Sequence, residues 1–286
     1  MSTVVFFHAH PDDEAIATAG TMAGLSDAGH RVVLVTATRG ELGEIPEGLL
    51  ADGESLAGRR MTELAAACEI LGVSRQVFLD YRDSGMEGEA SNDEPGCFAA
   101  ADVEDAAAGV AAILTGEEAD VLVTYDEHGG YGHPDHVQVH RVGMRAAALA
   151  GTPVVYMSTM NRDFIRTLPD RLGPSGWEPP EGTTDGLDTM GEPAARITTA
   201  VPVIPWIDRK RLAMEAHRSQ IAETSFFLAM PPDVFSVVWG QEWYIRVTPP
   251  WTEPEGPPGE TALLLDVPAG VGGAVGTDPR SGRGSR

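Results

Sequence analysis

Short apolar runs alternate with longer, helix-like stretches from the beginning of the chain. The runs are rich in Val and bounded by Gly, Asp or Pro, as buried strands usually are, and they lie at Thr3–Phe7, Arg31–Thr36, Gln76–Leu79, Val121–Tyr125 and Val154–Met157. The Ala-rich segments between them are long enough for helices and lie at Asp13–Ala28, Leu56–Leu71, Val103–Leu114 and Asp135–Ala150. This alternation predicts an α/β, Rossmann-like fold, in which a mostly parallel sheet carries helices on both faces.

The pattern loosens after the fifth apolar run. Residues 158–192 are rich in Pro, Gly and acidic residues, which is typical of a long loop, so residues 158–207 are expected to form a variable cap and a late strand. The elements predicted from there on are a strand, a helix and a final strand, at Arg196–Val203, Ile207–Ala222 and Glu242–Thr248. Together with the first half, they predict a single domain over residues 1–251.

The C-terminal segment has a composition of its own. From Pro249 to the end, 15 of 38 residues are Pro or Gly, whereas the usual level is about 12%. Such a segment buries too little apolar surface to offset the entropy of ordering it. Residues 252–286 are therefore expected to be disordered, with Leu263-Leu264-Leu265 as the part that could dock on the domain.

The composition is that of a globular and strongly acidic protein. Apolar residues make up 42% of the chain, and the net charge of -23, without a basic stripe, argues against a nucleic-acid partner. No apolar run approaches the roughly 20 residues of a membrane helix, and no secretion signal is visible. Cys68 and Cys97 lie outside any Cys-x-x-Cys motif and are expected to be free thiols. We expect a cytoplasmic protein without a membrane partner, and the residues leave its oligomeric state open.

A His-Pro-Asp-Asp-Glu motif, residues 10–14, directly follows the first predicted strand. His10 would end the strand, and Asp13 would lie in the first turn of the following helix. An imidazole and a carboxylate three residues apart at such a junction are spaced as metal ligands. An acid at this place is also stabilised by the helix dipole without any metal, so the motif by itself leaves both explanations open.

A second motif, His-Pro-Asp-His at residues 133–136, follows the fourth predicted strand. His133 is a plausible N-cap, and the proline occupies the first helical position, where its missing N–H is tolerated. Ligands in such folds bind beyond the carboxyl ends of the strands, so the two motifs should meet. The predicted metal ligands are His10, Asp13 and His136. Three ligands with an open position indicate a catalytic site, for which Zn²⁺ is suited and Fe²⁺ or another divalent ion is possible, and Asp12 is left free as a base.

The two motifs, as they stand here, resemble the signatures of the PIG-L/LmbE family of metal-dependent N-deacetylases. The likeness extends over roughly residues 3–160. Two further stretches, Tyr81–Met86 and Tyr125–Tyr131, are most similar to the actinobacterial branch of N-acetylglucosaminyl-inositol deacetylases and mycothiol S-conjugate amidases. The resemblance implies a zinc hydrolase that removes the acetyl group from an N-acetylglucosamine-type substrate, with N-acetylglucosaminyl-inositol as the first candidate.

The resemblance also implies roles for the catalytic residues. Asp12, the aspartate after the proline, would be the general base that takes a proton from water. His133 or the Tyr131 hydroxyl would donate to the oxyanion that forms at the acyl carbon. His133 as an imidazolium could also protonate the departing amine.

Five further residues are expected around this centre. Asp135 is predicted to orient a metal-binding histidine through its second ring nitrogen, and Glu14 is considered for the same kind of support. Arg60 and Asp83 resemble the sugar-contacting positions of the family, and Glu44 lies in a loop that should open onto the site. Each has an ordinary alternative: Asp135 and Glu14 as first-turn acids, Arg60 as a surface residue of a helix, and Asp83 and Glu44 as loop residues.

Two other histidines are assigned by their place in the pattern. His8 precedes His10 by two positions on the first strand, so its side chain points to the same side. We expect it to be a buried, hydrogen-bonded core residue rather than a ligand. His217 belongs to the late predicted helix and is expected on the helix surface by default.

Two related functions stay open, because a mycothiol S-conjugate amidase and a deacetylase of an antibiotic amino sugar would use the same metal motifs. Functions of other classes fit the residues less well. A dinucleotide-binding module should show Gly-x-Gly-x-x-Gly after the first strand, where this chain has His-Pro-Asp-Asp. A serine hydrolase should show a Gly-x-Ser-x-Gly elbow, which this chain lacks. A non-catalytic sugar-binding module should lack a catalytic base, whereas Asp12 is present. The sequence therefore favours a metal-dependent hydrolase.

Overall fold

Seven strands form one sheet in the computed structural model, which describes residues 1–46, 48–177, 186–249 and 259–263. The strands are β1 (Thr3–His8), β2 (Arg31–Thr38), β3 (Arg75–Tyr81), β4 (Val121–Tyr125), β5 (Val154–Thr159), β6 (Thr199–Pro202) and β7 (Gln241–Val247). They are ordered β3-β2-β1-β4-β5-β7-β6. The first five are parallel, and β7 runs antiparallel to β5 and β6. The predicted mostly parallel α/β sheet is confirmed.

Helices cover both faces of this sheet. They are α1 (Asp13–Ala17), α2 (Ala19–Asp27), α3 (Leu56–Leu71), α4 (Val103–Gly116), α5 (Pro134–Ala150), α6 (Arg162–Leu172), α7 (Ile207–Ala216) and α8 (Pro232–Trp239). Because side chains alternate along a strand, Val4 and Phe6 of β1 pack in the core under α1–α3 and α6–α8. Val5 and Phe7 pack in the opposite core under α4 and α5. This two-sided burial explains why the central strands read as continuous apolar runs.

The predicted helix Asp13–Ala28 is interrupted in the structure. Thr18 separates α1 from α2 with φ of −136°, outside the helical range. Its hydroxyl lies 2.9 Å from the Nε2 atom of His8, on β1. The helix is therefore interrupted at the residue whose side chain contacts β1, and this contact cannot be seen in the local sequence.

The segment predicted as a long loop after β5 contains a helix, α6. Asn161 caps it by accepting the backbone N–H of Phe164 at 3.0 Å, and Leu168 and Leu172 are buried in the core beneath it. The amphipathic spacing of these residues was masked by Pro169 within the helix and by the Gly- and Pro-rich sequence after it. The expectation of a structureless loop at residues 162–172 was therefore wrong.

Part of the C-terminal segment expected to be disordered packs on the sheet edge. The backbone carbonyl of Glu260 accepts the N–H of Ala200 at 2.9 Å, and its side chain pairs with Arg246 at 2.6 Å. Leu263 is buried in the core. The prediction for residues 252–258 and 264–286 lies outside the described residues.

Breaking the ion pair that joins α7 to β7 should be costly. The Nζ atom of Lys210 lies 2.6 Å from Oε1 of Glu242, and both side chains are buried. Lys210→Met would leave that carboxylate in the interior without its cation, so we expect the free energy of unfolding to fall by about 3–5 kcal/mol in urea titrations. The neighbouring Arg209→Met removes a partly exposed pair with Asp27 and a hydrogen bond to the carbonyl oxygen of Ile70, and it should cost less, about 1–2 kcal/mol. Equal losses in the two variants would contradict this assignment.

The sheet order fixes where a ligand can bind. The chain leaves β1 toward β2 on one side and later enters β4 on the other side of β1. The connections at the carboxyl ends of β1 and β4 therefore diverge, and this leaves a crevice of the kind in which open α/β sheets bind ligands. The two histidine motifs follow these two strands.

Candidate metal centre and active site

His10, Asp13 and His136 bring two ring nitrogens and both carboxylate oxygens of Asp13 together in the crevice. Nδ1 of His10 lies 3.3 Å from Nε2 of His136 and 3.6 Å from Oδ2 of Asp13, and Nε2 of His136 lies 3.4 Å from Oδ1 of Asp13. Ligand atoms at tetrahedral angles around a Zn²⁺ ion, about 2.0–2.2 Å from it, are about 3.3–3.6 Å apart. The three side chains therefore have the spacing of a single metal site.

The second nitrogen of each ring is held by a protein acceptor. Nε2 of His10 lies 3.1 Å from Oδ2 of Asp135, and Nδ1 of His136 lies 3.1 Å from the carbonyl oxygen of Gly129. Metal-binding histidines usually donate their other N–H to a carboxylate or carbonyl, which fixes the ring and its tautomer. Asp135 thus lies against the ring that an orienting carboxylate would have to hold, and it is itself anchored by Ser84, whose N–H donates to it at 3.0 Å.

The charge around this centre favours a bound cation. Burial lowers the pKa of His10, but hydrogen bonds to Asp135 and Asp83 and the charge of Asp13 together raise it to about 10. Burial and the neighbouring His10 lower the pKa of His136 to about 4, so its imidazole is neutral at pH 7. Buried carboxylates beside a neutral imidazole form a donor set that suits a divalent ion. The described residues thus contain a His/Asp site for a divalent metal ion.

Asp12 lies beside these ligands in a strained conformation. Its φ of 114° places it in a region that residues other than glycine rarely adopt, at a cost on the order of 1–3 kcal/mol. Two contacts hold it there: its N–H donates to Oε2 of Glu14 at 3.0 Å, and its Oδ1 lies 3.3 Å from the Arg60 guanidinium. Burial, opposed by the Arg60 charge, raises the pKa of Asp12 to about 6. Strain held at a carboxylate next to ligands is a common property of active sites.

Arg60 is directed at the protein rather than at solvent. Its guanidinium donates to the carbonyl oxygens of Gly40 at 2.7 Å and Pro11 at 2.5 Å, and the residue is buried. These contacts join α3 to the loops after β1 and β2. The side chain therefore positions the Pro11–Asp12 turn, whereas its predicted contact with a sugar stays a prediction.

The other two residues predicted to contact a sugar differ in placement. Asp83 is buried, and its carboxylate accepts the N–H groups of Leu42 at 3.1 Å and Gly85 at 2.9 Å. Glu44 has an exposed side chain. Sequence reasoning missed Glu41, whose Oε1 accepts the Asp83 N–H at 3.1 Å and whose Oε2 is buried with no hydrogen-bond partner among the described residues. Its place in the same Gly-rich loop as Glu44 was the signal available.

Glu14 and His217 form a buried pair behind Asp12. Nε2 of His217 donates to Oε1 of Glu14 at 2.6 Å, and both residues are fully buried. The expectation that His217 lies on a helix surface was wrong, because α7 ends just before it and directs the ring into the core. Glu14 thus links the N–H of Asp12 to the late helix.

His133 and Tyr131 lie on the other side of the centre. Nδ1 of His133 accepts the backbone N–H of Asp135 at 3.1 Å, so the neutral ring carries its proton on Nε2. Burial and the charges of His10 and His136 lower the pKa of His133 to about 4. The Tyr131 ring lies 4.9 Å from the His136 ring, and burial raises the pKa of its hydroxyl, which stays protonated. Both side chains are hydrogen-bond donors near the ligands.

The loop before α5 depends on a glycine for its approach to the helix. Gly129 has φ of 59°, and a Cβ there would lie 2.5 Å from Cβ of His136 and 2.6 Å from the backbone nitrogen of Val137. Only glycine permits this approach, through which the Gly129 carbonyl reaches His136. The loop is fixed from within by Asp126, whose Oδ1 accepts two of its N–H groups.

A buried chain of hydrogen bonds supports Asp13. Oγ1 of Thr18 and the hydroxyl of Tyr125 lie 2.9 Å and 2.6 Å from the two nitrogens of His8, and Tyr125 is hydrogen-bonded to Asp13. Burial lowers the pKa of His8, so the ring is neutral. In the arrangement that fits these contacts, the Thr18 hydroxyl donates to Nε2 of His8 and the Nδ1–H of His8 donates to the Tyr125 oxygen. The Tyr125 O–H then donates to Asp13. His8 lies in the core and is hydrogen-bonded, in agreement with its sequence-based assignment.

Removing the Tyr125 hydroxyl should weaken metal binding more than catalysis. Tyr125→Phe leaves Asp13 without this donor, and losses of this kind typically cost about 10–100-fold in metal affinity. We expect such a rise in the metal Kd, measured by competition with a chelating dye, with kcat at saturating metal largely retained. Tyr156→Phe, in a buried tyrosine of β5, is the matched control and should leave the metal Kd unchanged. An unaltered Kd in Tyr125→Phe would rule out this support of Asp13.

Comparison with known proteins agrees with this geometry. Residues 5–147 match the family described as PIG-L, GlcNAc-PI de-N-acetylase. A protein of Acidothermus cellulolyticus, named 1D-myo-inositol 2-acetamido-2-deoxy-alpha-D-glucopyranoside deacetylase, is 40% identical over 256 residues, which cover 85% of this chain and 88% of that protein. The chain belongs to the PIG-L family. The resemblance inferred from the two histidine motifs is confirmed.

Solved structures of other proteins share the fold of this PIG-L family member. An N,N'-diacetylchitobiose deacetylase from Pyrococcus horikoshii matches with a TM-score of 0.57 at 19% identity, over 86% of this chain and 84% of that one. The zinc-inhibited form of a teicoplanin deacetylase matches with a TM-score of 0.56 at 19% identity, over 86% of this chain and 98% of that one. At this identity the likeness concerns the fold alone. Within the described residues, no helix has the length and apolar character needed to cross a membrane.

Proposed function

We propose that the protein is a metal-dependent hydrolase that removes the acetyl group from N-acetylglucosaminyl-inositol. The observation that carries this proposal is the convergence of His10, Asp13 and His136 at single-ion spacing, with the strained Asp12 beside them. The relative from Acidothermus cellulolyticus carries the name of a deacetylase of that substrate. We take Zn²⁺ as the metal, and Fe²⁺ fits the same donor set.

Asp12 is proposed as the general base. A divalent ion held by His10, Asp13 and His136 would polarise the acyl carbonyl and make water acidic enough to be deprotonated near neutral pH. Asp12 accepts that proton, since its carboxylate is next to the ligand set without being part of it. The Arg60 guanidinium and the Glu14 carboxylate keep the base in place.

His133 and Tyr131 are proposed as the donors. The Nε2–H of His133 and the Tyr131 hydroxyl would stabilise negative charge on the acyl oxygen as water adds. The leaving amine must gain a proton before it departs. His133 supplies it as an imidazolium whose extra proton is the one that Asp12 took from the water, so both side chains return to their starting forms. The neighbouring Asp135, which points its N–H at Nδ1 of His133, keeps the proton of the neutral ring on Nε2.

The sugar is proposed to lie on the polar side of the centre. Asp83, Arg60 and Glu44 are proposed to border that side, and Oε2 of Glu41, which is buried without a hydrogen-bond partner among the described residues, is proposed as one more acceptor. A substrate with several hydroxyl groups meets carboxylates there, whereas the opposite side of the ligands is apolar. This arrangement supports a small amino-sugar substrate.

The experiment that tests the function is a comparison of substrates with one protein preparation. N-acetylglucosaminyl-inositol, a mycothiol S-conjugate and free N-acetylglucosamine would be supplied at equal concentrations, and release of the free amine would be followed by derivatisation. We expect the highest kcat/KM for N-acetylglucosaminyl-inositol. A higher kcat/KM for the S-conjugate would instead identify an amidase, and no amine from any of the three would contradict the proposal.

A further inference from the structure

An apolar cavity of about 300 Å³ adjoins the metal ligands. Asp13, Tyr131 and His136 form its polar end. Its walls come from the ends of β5 and β7 and from α6 and α8, and they include Met160, Phe164, Ile165, Leu168, Phe226 and Trp239. Sequence reasoning missed this cavity because α6 and α8 were not predicted.

The two charged side chains away from the ligand end, and one hydroxyl group, are already paired within the protein, whereas the indole N–H of Trp239 has no hydrogen-bond partner among the described residues. Lys210 and Glu242 bond to each other, and the Thr159 hydroxyl donates to Asp126 at 2.5 Å. Away from the ligand end, these groups have little to offer a sugar hydroxyl. The cavity therefore selects for apolar groups, as apolar ligand sites generally do.

The two sides of the scissile amide would meet opposite environments. Asp12, Arg60 and Asp83 are absent from the walls of the cavity, whereas the ligands Asp13 and His136 belong to them. An amide over the ligands would have its amine side toward the carboxylates and its acyl side toward the apolar walls. An acetyl group would place only one methyl group at the mouth of this space.

We propose that the cavity binds the acyl chain of the substrate and that the enzyme hydrolyses N-acyl glucosamine derivatives with straight chains well beyond acetyl. This inference rests on the proposed function, since it uses the same reaction: the C–N bond breaks, water oxygen joins the acyl carbon, and the amine takes a proton. A cavity of about 300 Å³ has the volume of about ten water molecules at about 30 Å³ each. Chains of about six to eight carbons would fill most of it.

The test is a series of glucosaminyl-inositols that differ only in the N-acyl chain: acetyl, butanoyl, hexanoyl, octanoyl and dodecanoyl. Each methylene group that becomes buried should raise kcat/KM about three- to fourfold. We therefore expect kcat/KM to rise at least about tenfold from the acetyl to the hexanoyl compound and to fall again for the dodecanoyl compound. If the acetyl compound is hydrolysed and kcat/KM declines through the butanoyl and hexanoyl compounds, the inference is overturned and the proposed function stands. Hydrolysis of hexanoyl without acetyl would keep the cavity and refute the proposed acetyl substrate, and no hydrolysis in the whole series would refute both.

A variant distinguishes binding of the acyl chain in the cavity from binding of the aglycone there. Ile165→Trp should fill part of the cavity, and we expect the hexanoyl-to-acetyl ratio of kcat/KM to fall at least about tenfold. Asp170→Trp, at an exposed position of the same helix, is the control and should keep the wild-type ratio. If the ratio is unchanged in Ile165→Trp but inhibition by a hexyl glycoside of N-acetylglucosamine is lost, the cavity takes the aglycone and the inference is wrong. If Ile165→Trp fails to fold, the chain-length series with the wild-type protein still decides.

Discussion

Replacing Asp12 with Asn is expected to lower kcat by about 10²–10⁴-fold, the usual contribution of a general base. Asn keeps the size of the side chain and tolerates a positive φ better than most residues, so the fold and the turn between β1 and α1 should be retained. Metal content should also be retained, because Asp12 is not among the three residues whose ligand atoms converge. The measurement is acetate release under saturating metal and substrate, together with metal content per chain.

Asp80→Asn is the matched control for this variant. Asp80 also has a positive φ, of 64°, but it lies on the exposed end of β3, paired with Arg39. Its replacement should leave kcat and metal content as in the wild type. If Asp12→Asn instead loses its metal and recovers full activity when metal is added in excess, the roles of base and ligand assigned to Asp12 and Asp13 are reversed.

Replacing His136 with Ala should abolish tight metal binding and, with it, activity. The variant removes one of the three proposed ligands, so the loss of metal affinity should exceed the roughly 100-fold that removal of a supporting group can cost. The two remaining proposed ligands, His10 and Asp13, would form a site that is incomplete for Zn²⁺. We expect metal content after dialysis near zero and acetate release at the level of the chelated wild type.

His140→Ala, one turn along α5, is the control for this variant. His140 has its Nδ1 atom 2.9 Å from the carbonyl oxygen of Tyr125 and makes no contact with the three ligand atoms. It should keep stoichiometric metal and most of the activity. Full metal content in His136→Ala would show that the ion is held elsewhere, with His133 the first alternative because its ring lies beside His10 and His136.

The convergence of the two histidine motifs could be predicted from the sequence because the motifs directly follow the ends of two strands. His10 follows β1 and His136 follows β4, and these strands are hydrogen-bonded neighbours. The alternation of βα units gives the parallel sheet, and the sheet places both motifs at one edge. The local pattern thus carried enough information to predict which side chains converge.

The supporting contacts could not be predicted because they join distant segments. The Arg60 guanidinium reaches carbonyl oxygens 20 and 49 positions away, and His217 pairs with Glu14 across 203 positions. Nothing in the local pattern of α3 or α7 distinguishes these side chains from ordinary surface residues. The apolar cavity depends in the same way on α6, whose amphipathic stretch is broken by Pro169.

A metal titration of chelated protein with N-acetylglucosaminyl-inositol as substrate would show directly whether one bound ion is required for hydrolysis. Acetate release would be followed as Zn²⁺, or Fe²⁺ without oxygen, is added in small steps. We expect no release without metal and a linear rise that ends at one ion per chain. Acetate release by fully metal-free protein would show that the protein is not a metal-dependent hydrolase.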